Sequence, residues 1–104
     1  MAVLEIRQRH SDVSLFMVLP CRSQSSRWSA ADQQEYQRIL KASDRVLYVS
    51  EEYFPGCMQK RNRFMVDHSD TCCCYLTSCR GGTWNTVSYA YDQHLSIHNI
   101  ANDL

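Results

Sequence analysis

Four apolar segments of strand length recur along the chain, at residues 13–20 (VSLFMVLP), 45–50 (RVLYVS), 71–77 (TCCCYLT) and 95–101 (LSIHNIA), and helical patterning fills the stretches between them. Residues 2–9 read as the end of a helix. Ser29 and Asp32 give an S-x-x-D start signal for a helix to about residue 42, with Tyr36, Ile39, Leu40 and Ser43 on one side. After EEYFPG, a turn-rich connection, a helix is expected from about Cys57 to His68, and a last one over residues 81–94. Pro20 is expected to stop the first strand. Short apolar strands alternating with helices imply an α/β protein with a mostly parallel sheet covered on both faces, a three-layer α/β/α arrangement with ligands at the carboxyl ends of the strands. The polar loops at 21–28, 50–56 and 77–82 all follow strands, and are expected to gather at that edge.

Composition narrows the class. The 104 residues, 44% apolar and 21% charged, suit one small globular domain, and eleven basic side chains balance eleven acidic ones. Nothing global therefore draws the chain to nucleic acid or an anionic membrane. The apolar runs are too short to span a bilayer, and MAVLEIRQRH carries charges where a signal peptide needs an apolar core, so a soluble cytoplasmic protein is expected. Six cysteines suggest a disulfide scaffold, but Cys72, Cys73 and Cys74 are consecutive within a strand and must alternate between its faces. They read instead as small buried hydrophobes. Cys74, Cys79 and one histidine would make an unusual metal-ligand set, and no metal or cofactor is assigned.

The stretch SCRGGTWNTVSYA, residues 78–90, sets two of only three glycines directly before a helix. Paired glycines allow close backbone approach, and the first turn of a helix has N–H groups without internal partners. Gly81, Gly82 and Thr83 thus read as a phosphate seat, with a plain strand-to-helix turn as the alternative. In MQKRNRFMVDHSD, Met58, Arg61, Asn62 and Met65 share one helical face. Arg61 suits a bidentate phosphate clamp and Asn62 a sugar hydroxyl or a base edge, the alternative being a solvated face made by Lys60, Arg61 and Arg63. Asp67 and Asp70 end that helix, where a carboxylate opposes the dipole; helix-ending hydrogen bonds and catalysis are both open, with His68 beside them as a candidate base. Trp28 and Trp84 are candidates for stacking on a base or for packing.

PCRSQSSRW, YVSEEYFPGCMQKRNRFMVDHSD and GGTWNTVSYA, in this order, resemble the YpsA-like branch of the SLOG superfamily, Rossmann-like bacterial proteins. The resemblance runs from about Ala2 to Ile100. Gln24 and Trp28 match a family motif, Pro-aromatic-x-Gly-Gln-Glu followed by tryptophan, whose glycine and glutamate are replaced here. The family domain opens with a strand bearing a Gly-x-Arg turn and a second glycine-rich unit; neither precedes Met1, so the chain is expected to match the C-terminal part of the domain, without the N-terminal strand-helix units.

The resemblance implies a phosphorylated, nucleotide-derived ligand at Gly81, Gly82, Thr83, Thr86, Arg61, Asn62, Gln24, Trp28 and Asp67. Related SLOG enzymes that cleave nucleoside monophosphates use an Arg-Lys-x-x-Met helix and a Gly-Gly-x-Gly-Thr-x-x-Glu loop. Arg61, Asn62 and Met65 resemble the first with lysine replaced; Gly81, Gly82 and Thr86 approximate the second, but no acidic residue occurs between Asp70 and Asp92. The carboxylate expected to stabilise positive charge on the sugar is missing, which favours a binding or sensor module over hydrolysis. The alternatives are a phosphoribohydrolase-like enzyme using Asp67 or Asp70, and a truncated remnant acting by protein contact. A homodimer is expected to cover the strand edge that a missing central neighbour would expose.

Overall fold

The computed structural model describes residues 2–103. The chain divides into two compact units, Met1–Cys57 and Met58–Leu104. In the first, helix α1 (Ala2–Arg9) precedes strand β1 (Phe16–Cys21), helix α2 (Ala30–Ala42) and strand β2 (Arg45–Ser50). Strands β1 and β2 run parallel, Phe16 opposite Arg45 and Cys21 opposite Ser50. Helix α2 is thus the crossover of a β–α–β unit.

Local chemistry accounts for these limits. The Ser29 hydroxyl accepts a hydrogen bond from the Asp32 N–H (3.2 Å), the N-cap its spacing predicts. Strand β1 continues through Pro20 rather than stopping there. Pro20 takes no place in the register, which passes from Leu19↔Tyr48 to Cys21↔Ser50, so its missing N–H costs no rung. Leu15, Leu19, Pro20 and Cys21 are buried along this strand and its entry. The Asp44 carboxylate fixes that entry: it accepts from the Leu15 N–H (2.7 Å) and from Arg7 (2.8 Å), whose guanidinium also donates to the Ala42 carbonyl (2.7 Å). These contacts, the Leu15 amide foremost among them, hold the Asp44 carboxyl below the usual aspartate range.

The second unit repeats the plan. Helix α3 (Cys57–Asp67), which carries the boundary between the units at its first turn, is followed by strand β3 (Thr71–Cys74), helix α4 (Gly82–Asp92), strand β4 (Ser96–Asn99) and a 3-10 turn (Ile100–Asp103). Strands β3 and β4 are parallel, with Thr71 opposite Ser96 and Cys74 opposite Asn99. Val66, Val87 and Ala90 are buried here. The expected parallel sheet is therefore present as two two-stranded ladders, one per unit. Among the described residues no helix is long and apolar enough to cross a membrane.

Candidate functional site

The turn from β3 into α4 is shaped by Gly81. It stands at the N-cap with φ 93° and ψ −175°, a conformation that is essentially glycine's alone. Having no side chain, Gly81 gives α4 no side-chain cap, so the amides of the first turn are left to other acceptors. Gly82 is the first helical residue, and a Cβ there would meet nothing within 4 Å. Of the pair, only Gly81 is demanded by the backbone; Gly82 contributes open space.

A cleft of about 690 Å³ lies between this turn, α3 and β3. Arg61 and Asn62 line it from α3, and Gly82, Thr83 and Thr86 from α4. Five of the residues singled out in the sequence therefore border one cavity, whose remaining wall includes Cys72, Cys73, Cys74 and Tyr75 of β3 and its exit. Among the described residues, Arg61 is the only charged one on that wall. Its Nε donates to the Asn62 Oδ1 (2.7 Å), and a terminal nitrogen approaches the Met58 sulfur at 3.8 Å, so the guanidinium is held beside the asparagine. The Thr86 hydroxyl donates back to the Gly82 carbonyl (3.1 Å), as threonines in helices often do.

A second cleft, of about 490 Å³, adjoins the first. Met58, Asn62 and Val66, spaced four apart on α3, and Gly82 and Thr86, four apart on α4, border both. Trp84 and Asn85 lie on the wall of this second cleft alone.

Asp67 stands outside the residues lining either cleft. Its carboxylate accepts a hydrogen bond from the Tyr89 hydroxyl (2.6 Å), and Arg63 lies over the Tyr89 ring at 4.8 Å. This partnership was not foreseeable from spacing, because the two residues are 22 apart and on different helices. His68 stacks on Phe64 (4.2 Å between ring centroids), with its Nδ1 2.8 Å from the Phe64 carbonyl.

Gln24 and Trp28 belong to the first unit. Trp28 packs edge-on against Tyr36, with centroids 5.3 Å apart and an interplanar angle of 82°. The Gln24 Oε1 is buried with no hydrogen-bond partner among the described residues. All six cysteines are free thiols. Burial, and then the neighbouring Cys74 thiol, push the Cys72 thiol up from its ordinary value. Among the described residues, no three histidine, cysteine or acidic side chains are grouped to hold a metal ion.

Two parallel β–α–β units with a glycine-shaped turn at a strand's carboxyl end define a small α/β protein of Rossmann-like type. The chain belongs to the YspA SLOG family, whose profile matches residues 1–102. It is 28% identical over 102 residues to the uncharacterized SPbeta prophage-derived protein YoqJ of Bacillus subtilis, an alignment that covers 86% of this chain and 60% of that protein. It is also 31% identical over 70 residues to a UPF0398 protein of Halalkalibacterium halodurans, and 27% identical over 70 residues to one of Staphylococcus haemolyticus. Each of these covers 65% of this chain and 37% of the relative. The chain thus spans about 60% of the first relative's length.

Proposed function

We propose that the protein binds a phosphorylated, nucleotide-derived ligand and acts as a sensor or carrier of it. The observation behind this reading is the single cleft lined by Arg61, Asn62, Gly82, Thr83 and Thr86, in which the only charge among the described residues is a cation. The ligand's phosphate sits at the uncapped first turn of α4, where the amides and the helix dipole favour an anion. The Arg61 guanidinium supplies the charge-assisted contact, with its orientation supported by Asn62.

Binding is favoured over hydrolysis. Of the two acidic residues offered in place of the missing glutamate, Asp67 is engaged by Tyr89 and Asp70 accepts from the Thr71 hydroxyl (3.2 Å), and neither lines the cleft. A carboxylate so placed is poorly positioned to stabilise positive charge on a sugar.

Calorimetric titration with AMP, ADP-ribose and NAD tests the reading. Heat of binding is expected from at least one of them, with a weaker affinity in Arg61→Ala. A well-folded protein that takes up none of the three would sink it. Chromatography of the same mixtures is expected to show no free base, and base release abolished by Asp67→Asn would favour the enzyme instead.

A further inference from the structure

We infer that Cys72 and Cys74 form a two-thiolate site for a soft monovalent metal ion, Cu(I), on the wall of the larger cleft. The site goes beyond the nucleotide reading and does not depend on it.

Strand geometry puts the two thiols together. Side chains two apart on a strand point to the same face. Along β3, Cys72 and Cys74 are half-buried, whereas Cys73 between them is exposed. Both half-buried residues line the larger cleft. Their sulfurs also interact: burial first, and then Cys74 through its charge and a thiol–thiol hydrogen bond, raises the Cys72 thiol. Two sulfurs in hydrogen-bonding contact are close enough for one ion to bridge.

The chemistry of the cleft selects the ion. Met58 and Met65, on one face of α3, bring thioethers to the same wall, and among the described residues that wall has no histidine, aspartate or glutamate. Soft thiolates and thioethers favour Cu(I), whereas harder divalent ions take carboxylates. A two-coordinate ion needs only the thiol pair, while zinc requires a larger group of ligands than the described residues offer. On binding, Cu(I) displaces both thiol protons to solvent and keeps its oxidation state, so the bis-thiolate complex carries one negative charge. Arg61, the only charge on that wall among the described residues, offsets it; a terminal nitrogen of its guanidinium stands 3.8 Å from the Met58 sulfur.

A disulfide suits the pair less well. Two residues of extended strand span about 6.6 Å, near the upper limit of about 6.8 Å that a disulfide bridges between Cα atoms. Pairing with Ile97 and Asn99 holds Cys72 and Cys74 at strand spacing. An ion between the sulfurs lengthens the bridge by one atom, so no rung of the ladder has to break.

The test is a competition for Cu(I) between the reduced full chain and a chromophoric Cu(I) chelator, without oxygen. Wild type is expected to withdraw a single equivalent. Cys72→Ser and Cys74→Ser are each expected to weaken Cu(I) by more than about 100-fold, the upper end of what loss of a merely supporting contact costs. Cys73→Ser and Cys79→Ser are expected to keep the wild-type affinity, and Zn(II) is expected not to displace the ion. A second reading uses the unaltered chain and so needs no variant to fold: Cu(I) is expected to protect Cys72 and Cys74 from alkylation and to leave Cys73 and Cys79 reactive. No transfer from the chelator would overturn the site. Equal losses in all four serine variants would do so too, by showing that exposed thiols take the ion without a built pair. Neither result touches the nucleotide reading, whose titrations contain no metal.

Discussion

The Tyr89 hydroxyl donates to the Asp67 carboxylate at 2.6 Å, tying the last residue of α3 to the third turn of α4. That bond, followed by burial and the charge of Asp67, raises the Tyr89 phenol above its ordinary value of 10.0. A group whose folded value is raised contributes stability that is complete below the unfolded value and is lost as pH rises through the folded one. Tyr89→Phe is therefore expected to melt below wild type at neutral pH, and the gap is expected to close above pH 10.0. Thermal melts of both proteins across that range check it; a gap unchanged at alkaline pH would mean that the hydroxyl contributes nothing through this bond.

The two glycines are expected to separate stability from binding. Gly81→Ala forces a side chain into a backbone region it avoids, at about 1–3 kcal/mol, and is expected to lower Tm by several degrees. A Cβ at position 82 meets nothing within 4 Å, so Gly82→Val is expected to leave Tm nearly unchanged while abolishing nucleotide binding, because the new side chain borders the cleft. Melting curves together with calorimetry distinguish the two variants.

Arg61→Ala is expected to weaken nucleotide binding by about 10- to 150-fold, the equivalent of about 1.5–3 kcal/mol for a charged hydrogen-bonding partner. Asn62→Ala is expected to show a smaller loss, since it removes the guanidinium's Nε acceptor and leaves its charge in place. Titration at rising salt concentration provides a check, because the part of the affinity that depends on Arg61 should fall with ionic strength.

Cysteine reactivity is expected to follow exposure and thiol acidity. Cys73 and Cys79 are exposed and should be alkylated first. Cys72, with its thiol pushed up, should lag and catch up only at more alkaline pH. Cys21 and Cys57, 2% and 0% exposed, should react only on unfolding. Peptide mass spectrometry after timed alkylation reads the order, and a nucleotide that fills the larger cleft should slow Cys73 but not Cys79.

Self-association is the remaining expected outcome. A two-stranded ladder is marginal by itself, and the first unit leaves Phe16 57% exposed at the start of β1. Light scattering at micromolar concentration is expected to give a dimer, and Phe16→Ser a larger monomer fraction. A persistent wild-type monomer would show that this edge needs no second copy.

Much of the element order was legible because periodicity and caps are local. Ser29 with Asp32 marks the start of α2, RVLYVS coincides with β2, and the helices after Pro55–Gly56 and Gly81 begin where their turn residues say. Pro20 misled, since whether a proline ends a strand depends on whether the partner strand needs its N–H, and that is a property of register. The glycine turn and the Arg61–Asn62 face were legible one at a time, whereas their grouping into one site, with Thr86, was implied by the family resemblance. The role of Asp67 did not, because its partner Tyr89 is fixed by helix packing rather than by spacing.

The Asn99 side chain behaves as a short piece of backbone. Its Oδ1 accepts from the Leu76 N–H (3.0 Å) and the Ala101 N–H (3.1 Å), and its Nδ2 donates to the Leu76 carbonyl (2.9 Å). A carboxamide thus adds one rung beyond the Cys74–Asn99 pair, across 23 residues of sequence. The segment from Leu76 to Gly81 is therefore pinned at both ends, by this amide pair and by the helix start. Opening of this segment between its anchors, like the lifting of a handle, is therefore expected to leave β3 paired with β4. Slow deuterium uptake at the Leu76 amide, beside fast uptake at Ser78 to Arg80, would be its signature, and Asn99→Ala would turn the handle into a loose thread.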